Sequence, residues 1–387
     1  MDLIHIADTH LGRATFQKTT GDGSNLRETL IYENFLAAIE KICDECPDVL
    51  VHAGDLFDTV KPKTKALLVA MRALDALKEA HIPFIAIAGN HSMPKNAYTA
   101  SAYEILKKAH PEIHVAYSFK YENIFLGGTL FHLIPNMLHA ADYRTAAEEA
   151  LSWVRNGMYG TLKVKHHVLV THGLASTIRD KRLSTVAEFE LTPEVLSESF
   201  DYIALGHYHG QMQVGPNAWY SGSIEHLTYG EIKDKKGALS VDLDNHVVDR
   251  LKLVRSPMAD LGVINCADRT MEDIIDSIED EVGLLDGIGD QMYQITLDFG
   301  SSPVKSVPAD ALKDIRESIL DLKIRVRSQE TERAVIQQQD LQAIDYVKEF
   351  GTFLQHRQLT DAQRAAVVAR GTETLKAVMA SNAEVTE

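Results

Sequence analysis

Cysteine is scarce in this chain, three among 387 residues, and so small and odd a count argues against a disulfide framework. Cys43 and Cys46 form a C-x-x-C, but no second pair exists and Cys266 stands alone, which argues against a zinc site. Cys43 falls in a helical pattern with Phe35, Ile39 and Ile42 that ends just before Pro47, the setting of a structural thiol. Long apolar runs are missing too. None approaches the roughly 20 residues that a membrane span requires, and a mean hydropathy of -0.14 with 45% apolar residues fits a globular protein. The opening Met1 to Ala7 has no basic flank ahead of its short apolar run, so it is expected to be a first strand rather than a leader, in a cytoplasmic protein. Basic charge is short as well, 39 Lys and Arg against 55 Asp and Glu, and the net -16 is opposite in sign to the footprint of a stand-alone nucleic-acid binder. The deficit is uneven: residues 257–300 hold eleven acids and one base, Arg269, and carry -10 of it. A polyanionic substrate would need metal cations or a partner subunit to bring it in. No internal repeat or low-complexity segment is present.

The length suggests two or more domains, since single cores usually stop growing at roughly 250 to 300 residues. Up to residue 255 short β-branched runs alternate with amphipathic stretches, an α/β pattern. Strands are expected at Leu3–Ala7, Val49–His52, Phe84–Ala88, Val168–Val170 and Ile203–Leu205, and helices near 28–45, 64–80, 98–109 and 142–155. From Ser256-Pro257 the texture changes to strand, helix, strand, helix, strand: Leu261–Ile264, Met271–Glu281, Tyr293–Leu297, Ala309–Leu320 and Ile324–Val326, a small α+β domain over 256–330. The tail, 331–387, reads as two helices. One carries Leu341, Ile344, Val347, Phe350 and Leu354; the other starts at Thr360 with Gln363 closing a capping box and continues through Val367, Val368, Gly371, Leu375 and Val378. Apolar stripes with little chain to bury them suggest a docking element, the alternative being that they pack back on the small α+β domain.

Five runs of ligand-type residues follow the strands of the first domain: Asp8-Thr9-His10, Gly54-Asp55-Leu56-Phe57-Asp58, Gly89-Asn90-His91, Thr171-His172-Gly173 and Gly206-His207-Tyr208-His209. Strand ends on one edge of an α/β sheet converge on one site. Cleaving a phosphodiester needs an activated water, neutralised phosphoryl oxygens and help for the leaving oxygen, and two divalent cations about 3.5 to 4 Å apart supply most of that. The runs contain what such a pair requires. Asp8, His10 and His209 are assigned to the first ion, Asn90, His172 and His207 to the second, and Asp55 is shared. Carboxylate and amide oxygens mixed with imidazoles suit Mn²⁺, with Mg²⁺ the other hard candidate. His91, beside a ligand, is placed to protonate a departing alkoxide. A lone D-x-H or T-H-G is weak evidence; the rarer G-D-x-x-D, G-N-H and G-H-x-H in order after strands make the signal. The histidines outside the runs, among them His5, His52, His166, His167 and His226, are expected in solvated or core roles.

These runs resemble the calcineurin-like metallophosphoesterase superfamily, whose fold implies a two-sheet α/β sandwich. Tyr220-Ser221-Gly222-Ser223-Ile224-Glu225, then Tyr229-Gly230-Glu231 and Lys236-Gly237, with the opening Asp8-Thr9-His10-Leu11-Gly12, resemble the SbcD type of DNA repair nuclease, the meiotic-recombination nuclease family. The resemblance implies a Mn²⁺-dependent nuclease that processes DNA ends in recombination and repair, as a homodimer, with an SbcC-type coiled-coil ATPase. It further implies that the small domain caps the site, that the tail helices bind the ATPase, and that the helices near 64–80 and 98–109 dimerise. Asp58 stands where eukaryotic and archaeal members carry histidine and bacterial ones Asp, which implies a bacterial or phage source. Ser92 stands where an acid that could orient His91 is common. Arg13, Lys18 and Arg27, in the stretch after His10, are candidate DNA contacts. A phosphoesterase for a small nucleotide shares every ligand and is the alternative expectation, and a non-catalytic end-binding protein the third.

Overall fold

The computed structural model describes residues 1–96, 98–157, 160–175, 178, 190–191, 196, 199–283, 289–308, 310–329 and 367–374. The chain runs β1 (Asp2–Ile6), α1 (Leu26–Asp44), β2 (Val49–His52), α2 (Thr64–Glu79), β3 (Phe84–Ile87), α3 (Ala102–Ala109), β4 (His114–Ala116), β5 (Glu122–Leu126), β6 (Thr129–Ile134), α4 (Ala140–Asn156) and β7 (His166–His172). It continues through β8 (Leu174–Ala175), β9 (Glu190–Leu191), β10 (Tyr202–Gly206), β11 (Met212–Gln213), β12 (Ala218–Tyr220), β13 (Ala238–Asp242) and β14 (Val247–Leu251). The remaining elements are β15 (Met258–Asn265), α5 (Met271–Gly283), β16 (Met292–Asp298), α6 (Lys313–Ser318) and β17 (Asp321–Arg327).

Two six-stranded sheets form, in the orders β14-β13-β1-β2-β3-β4 and β11-β12-β10-β7-β6-β5. Period-two alternation builds the layers, because successive strand residues point to opposite faces. In β1, Leu3 enters the layer between the sheets while Ile4 and Ile6 turn to the helices; in β2 Val49 and Val51 do the first and Leu50 the second. Phe131, Leu133, Val168, Val170, Tyr202 and Ala204 answer from the other sheet. α1, α2 and α3 cover the outer face of the first sheet with Ile31, Phe35, Ala70, Leu74 and Leu106. α4 covers the second sheet with Tyr143, Ala146, Ala147, Ala150 and Leu151. The fold is the expected two-sheet α/β sandwich.

This arrangement sets the site. β1, β2, β3 and β4 pair in parallel, as do β6, β7, β10 and β12, so the loops after β1, β2 and β3 leave one edge together, as do those after β7 and β10. The loops after β1 and β2 stay in register beyond the strands. Asp8 N–H donates to Gly54 O (3.0 Å), His10 N–H to Asp55 O (3.0 Å) and Leu11 N–H to Leu56 O (2.8 Å).

β15, β16 and β17 make a three-stranded sheet in that order, and α5 buries Ile274, Ile278 and Val282. Two expected helices are shorter than their periodicity suggests. α3 begins at Ala102 because Asn96 Oδ1 accepts from Tyr98 and Thr99 N–H in a turn, and Ser101 then caps the helix by accepting from Tyr103 N–H. α6 covers only Lys313–Ser318, without a side-chain cap and ending at extended Ile319. The chain divides into two compact units, one of Met1–Ile264, Thr270–Thr296 and Ser306–Arg325, the other of Asn265–Arg269, Leu297–Lys305 and Val326–Glu387. In the second, Phe299 N–H donates to Arg327 O at 2.9 Å and Arg327 Nε to Asp298 at 3.0 Å. Residues 367–374 are helical; Leu341, Ile344, Val347, Phe350, Leu354, Thr360, Gln363, Leu375 and Val378 lie outside the described residues.

Candidate metal centre

All seven ligand candidates come together at the strand ends. Asp8, His10 and His209 have ligand atoms within 4.8 Å of one another, and so do Asp8, Asp55 and His172. Asn90 Oδ1 lies 2.9 Å from His172 Nε2 and 3.2 Å from His207 Nδ1, and Asp55 Oδ2 lies 3.2 Å from His172 Nε2. Two donor groups thus meet, Asp8, His10 and His209 on one side and Asn90, His172 and His207 on the other, with Asp55 against both His172 and Asp8.

Backbone geometry explains how loops this short aim so many side chains inward. Asp8, His10, Asp55 and His207 have φ of 51°, 47°, 54° and 101°, the left-handed region that costs a non-glycine residue about 1–3 kcal/mol. Full burial of one large aliphatic side chain stabilises by about 1.5–3 kcal/mol, so the inter-sheet core beneath readily holds such turns. The glycines in the runs act differently from one another. Gly54 serves both the turn, with φ of 104°, and a close approach, since a Cβ there would lie 2.3 Å from His172 Nδ1, whereas Gly206 is needed for close approach alone, a Cβ there lying 2.0 Å from Ala53 O.

Three of the four candidate imidazoles, those of His172, His10 and His209, are fixed by their other nitrogen. His172 Nδ1 donates to Ala53 O (2.9 Å), leaving Nε2 for the site. His10 Nδ1 meets Asp58 Oδ1 at 3.0 Å, and His209 Nδ1 meets Glu231 Oε1 at 3.0 Å. Such partners set the tautomer of metal-binding histidines and raise their basicity. Asp55 Oδ1 accepts from His91 N–H (2.9 Å), Ser92 N–H (3.2 Å) and Ser92 Oγ (3.3 Å). Burial works against its charge, yet His172, His10 and His91 hold the carboxyl well below the usual carboxylate range. Burial likewise opposes protonation of His172, but the Asp55 carboxylate raises its pKa to about 9. Burial, then His172, pushes His207 down to about 3.

The residues fit a pair of cations. His10 Nε2 is buried with no hydrogen-bond partner among the described residues, and burial lowers this histidine's pKa. A neutral, buried lone pair without a partner is costly, and a cation in the Asp8–His10–His209 group would satisfy it. The donors are carboxylate oxygens, one amide oxygen and imidazole nitrogens, a set suited to a hard or borderline divalent ion.

His91 is exposed, with its ring 4.8 Å from that of His10 and Nδ1 donating to Asp58 O at 3.1 Å. That contact corrects the emphasis on Ser92. Ser92 is buried beneath Asp55 and bonds Tyr103 Oη at 3.2 Å; it is Asp58 that orients His91, through its carbonyl. Asp58 does three jobs, since its carboxylate also accepts from His10 and from Arg13 Nη1 at 3.2 Å. The candidate DNA contacts separate. Arg13 stays at the rim on Asp58, and Lys18 Nζ donates to the carbonyls of Glu317 (2.6 Å) and Ile319 (2.8 Å). Arg27 is corrected: it is 1% exposed, donating from Nη2 to Glu225 Oε2 at 2.9 Å and His226 O at 2.8 Å, so its charge serves the interior. Glu231 escaped sequence reasoning as a site residue because nothing in its spacing links it to His209. Outside the runs, His5 bonds Tyr202 Oη at 2.9 Å and His52 meets Thr9 Oγ1 at 3.0 Å, both fully buried core roles. No helix among the described residues is long and apolar enough to cross a membrane.

Comparison with known proteins agrees with this geometry. The calcineurin-like phosphoesterase family matches residues 1–211. The DNA double-strand break repair protein Mre11 of Methanopyrus kandleri is 31% identical over 245 residues, 62% of this chain and 52% of the relative. The Mre11 of Methanocaldococcus jannaschii is 31% identical over 259 residues, 64% of each chain. The SbcD component of the SbcCD nuclease of Staphylococcus saprophyticus is 29% identical over 281 residues, 68% of this chain and 71% of the relative. The chain therefore spans about half to two thirds of the length of the two Mre11 proteins. The match over residues 1–211 and the converging donors of those residues lead to one conclusion: this chain belongs to the calcineurin-like phosphoesterase family.

Proposed function

We propose that this chain is a metal-dependent DNA nuclease that hydrolyses phosphodiester bonds at DNA ends, as an exonuclease and an endonuclease, in double-strand-break repair. The observation that carries the reading is the convergence of the seven donors, among them a buried His10 Nε2 that has no hydrogen-bond partner among the described residues. The names of the relatives, the repair protein Mre11 and a component of the SbcCD nuclease, supply the substrate class.

Asp8, His10 and His209 would hold one ion, Asn90, His172 and His207 the other, and Asp55 both; Mn²⁺ suits the set best. Bound there, the pair would neutralise phosphoryl charge and lower the pKa of water. The protein's own part is orientation and proton transfer. Asp58 fixes His91 through Nδ1, so Nε2 is the atom that hands a proton to the leaving 3′ oxygen. Asp58 and Glu231 keep His10 and His209 in the tautomers whose Nε2 faces the site.

The same reading makes residues 256–330 a cap over the site and 331–387 a tail that docks on an SbcC-type coiled-coil ATPase, which would also bring DNA to so acidic a chain. Homodimerisation would use α2 and α3. Leu68 and Ile105 are 55% and 47% exposed, and a groove lined by Val60, Pro62, Leu67 and Ala102 lies beside Ile105. The test incubates the full chain with Mn²⁺ and either a blunt-ended labelled duplex or a small aryl phosphodiester, with and without the ATPase. Cleavage of the duplex, abolished by Asp55→Ala, is expected. Turnover of the small diester without any attack on DNA, even with the ATPase, would favour a small-nucleotide phosphoesterase.

A further inference from the structure

His209 is held by a buried chain of charges that no spacing in the sequence announces. Its Nδ1 meets Glu231 Oε1 at 3.0 Å, leaving Nε2 for the group with Asp8 and His10. Glu231 is 5% exposed, and its second oxygen accepts from Leu227 N–H at 3.0 Å and Lys236 Nζ at 2.7 Å. Lys236 directs two further N–H bonds to the His209 carbonyl and the Ser223 hydroxyl, each at 2.8 Å. One buried cation thus fixes the backbone of His209 and, through Glu231, its ring. Glu231 closes a single helical turn, Tyr229–Glu231, whose first residue donates from Oη to Asp321 Oδ2 at 2.7 Å. Tyr229 also packs with Met258, Met292 and Leu320, at the starts of β15 and β16 and just ahead of β17.

We propose that Glu231 and Lys236 are positioning residues that aim His209 at the metal site, and that Tyr229 ties this aim to the three-stranded sheet through Asp321. The inference rests on the two-metal reading. A neutral imidazole divides between two tautomers and rotates; a carboxylate on Nδ1–H selects the form with a lone pair on Nε2 and holds the ring plane. Lys236 holds that carboxylate in place through its Nζ–H bond to Oε2. Because the turn that presents Glu231 is anchored on Asp321, a shift of β17 moves the group that aims His209. The small sheet is thereby coupled to one of the two ions and not to the other.

Calorimetric titration of Mn²⁺ into the full chain tests this, with circular dichroism reporting folding. The wild type is expected to bind two ions. Glu231→Ala weakens one of them by about 10–100-fold and spares the other. Glu231→Gln restores part of the loss, because its amide oxygen still accepts from Nδ1–H. Tyr229→Phe, which loses only a hydroxyl, gives a smaller loss at the same ion. Folded Glu231→Ala with both affinities unchanged overturns the proposal; if that variant does not fold, unchanged affinities in both Glu231→Gln and Tyr229→Phe overturn it. Tyr229→Phe unchanged beside a weakened Glu231 variant overturns the tie to the sheet. A wild type that binds no Mn²⁺ overturns the two-metal reading, and this proposal with it.

Discussion

His91 and His10 stand with their rings 4.8 Å apart, yet their surroundings assign them different work. His10 is enclosed, its Nε2 without a hydrogen-bond partner among the described residues, whereas His91 is exposed and held by a carbonyl. Replacing His91 with Ala should lower phosphodiester hydrolysis about 10²–10⁴-fold while two ions remain bound, as read by single-turnover kinetics beside a metal titration. Loss of an ion would make His91 a ligand instead. Gly206→Ala places a methyl 2.0 Å from Ala53 O; overpacking of that kind costs about 1–3 kcal/mol or more, measurable by urea unfolding, and an unchanged midpoint would contradict the close approach. His5 and His132 show a third behaviour. Burial foremost, with a neighbouring histidine second, lowers each to about 3. Between about pH 6.5 and pH 3 the unfolded chain takes up protons that the folded protein refuses, so this stability is complete above pH 6.5 and falls on acidification, by up to about 1.4 kcal/mol per pH unit for each histidine. Urea melts at about pH 7 and pH 5 should show it, with a shallower fall in His132→Asn; the same slope in that variant would contradict the assignment. The convergence of the candidate ligands was legible because their residue types leave few other uses for Asp, Asn and His at strand ends. Arg27 was not: its partner Glu225 lies 198 positions away, and ion pairing across such a distance leaves no periodic trace.

At the scale of elements, alternation did what periodicity can do. β2 has the expected bounds, and β1, β3, β7 and β10 contain or nearly match the runs that announced them, because each is buried on both faces. The helices fared less evenly. The approach to α3 is claimed by Asn96 and Ser101 side chains that compete with the helix for backbone N–H groups, and α6 lost its ends to an absent cap and an extended Ile319. Apolar residues on the outer side of α2 and α3 carry the next prediction. If these helices pair two copies, Leu68→Glu with Ile105→Glu should halve the mass in sedimentation without loss of helical signal. A double variant that keeps the wild-type mass would contradict pairing through these helices.

For the molecule as a whole, charge and chemistry point in opposite directions until the metal site is included. A chain of net -16 repels DNA, while a site built from imidazoles, one amide and two aspartates can gather cations that attract it. The layered sandwich brings together residues as distant as Asp8 and His209, and the left-handed backbone at Asp8, His10, Asp55 and His207 turns their side chains toward one place. That they hold cations there is the claim on which the remainder depends. It is tested most directly by soaking crystals of the full chain in Mn²⁺ and collecting diffraction at the manganese absorption edge. Two anomalous peaks are expected about 3.5 to 4 Å apart, one against Asp8, His10 and His209, the other against Asn90, His172 and His207, with Asp55 touching both. A single peak, or peaks away from these side chains, would contradict it.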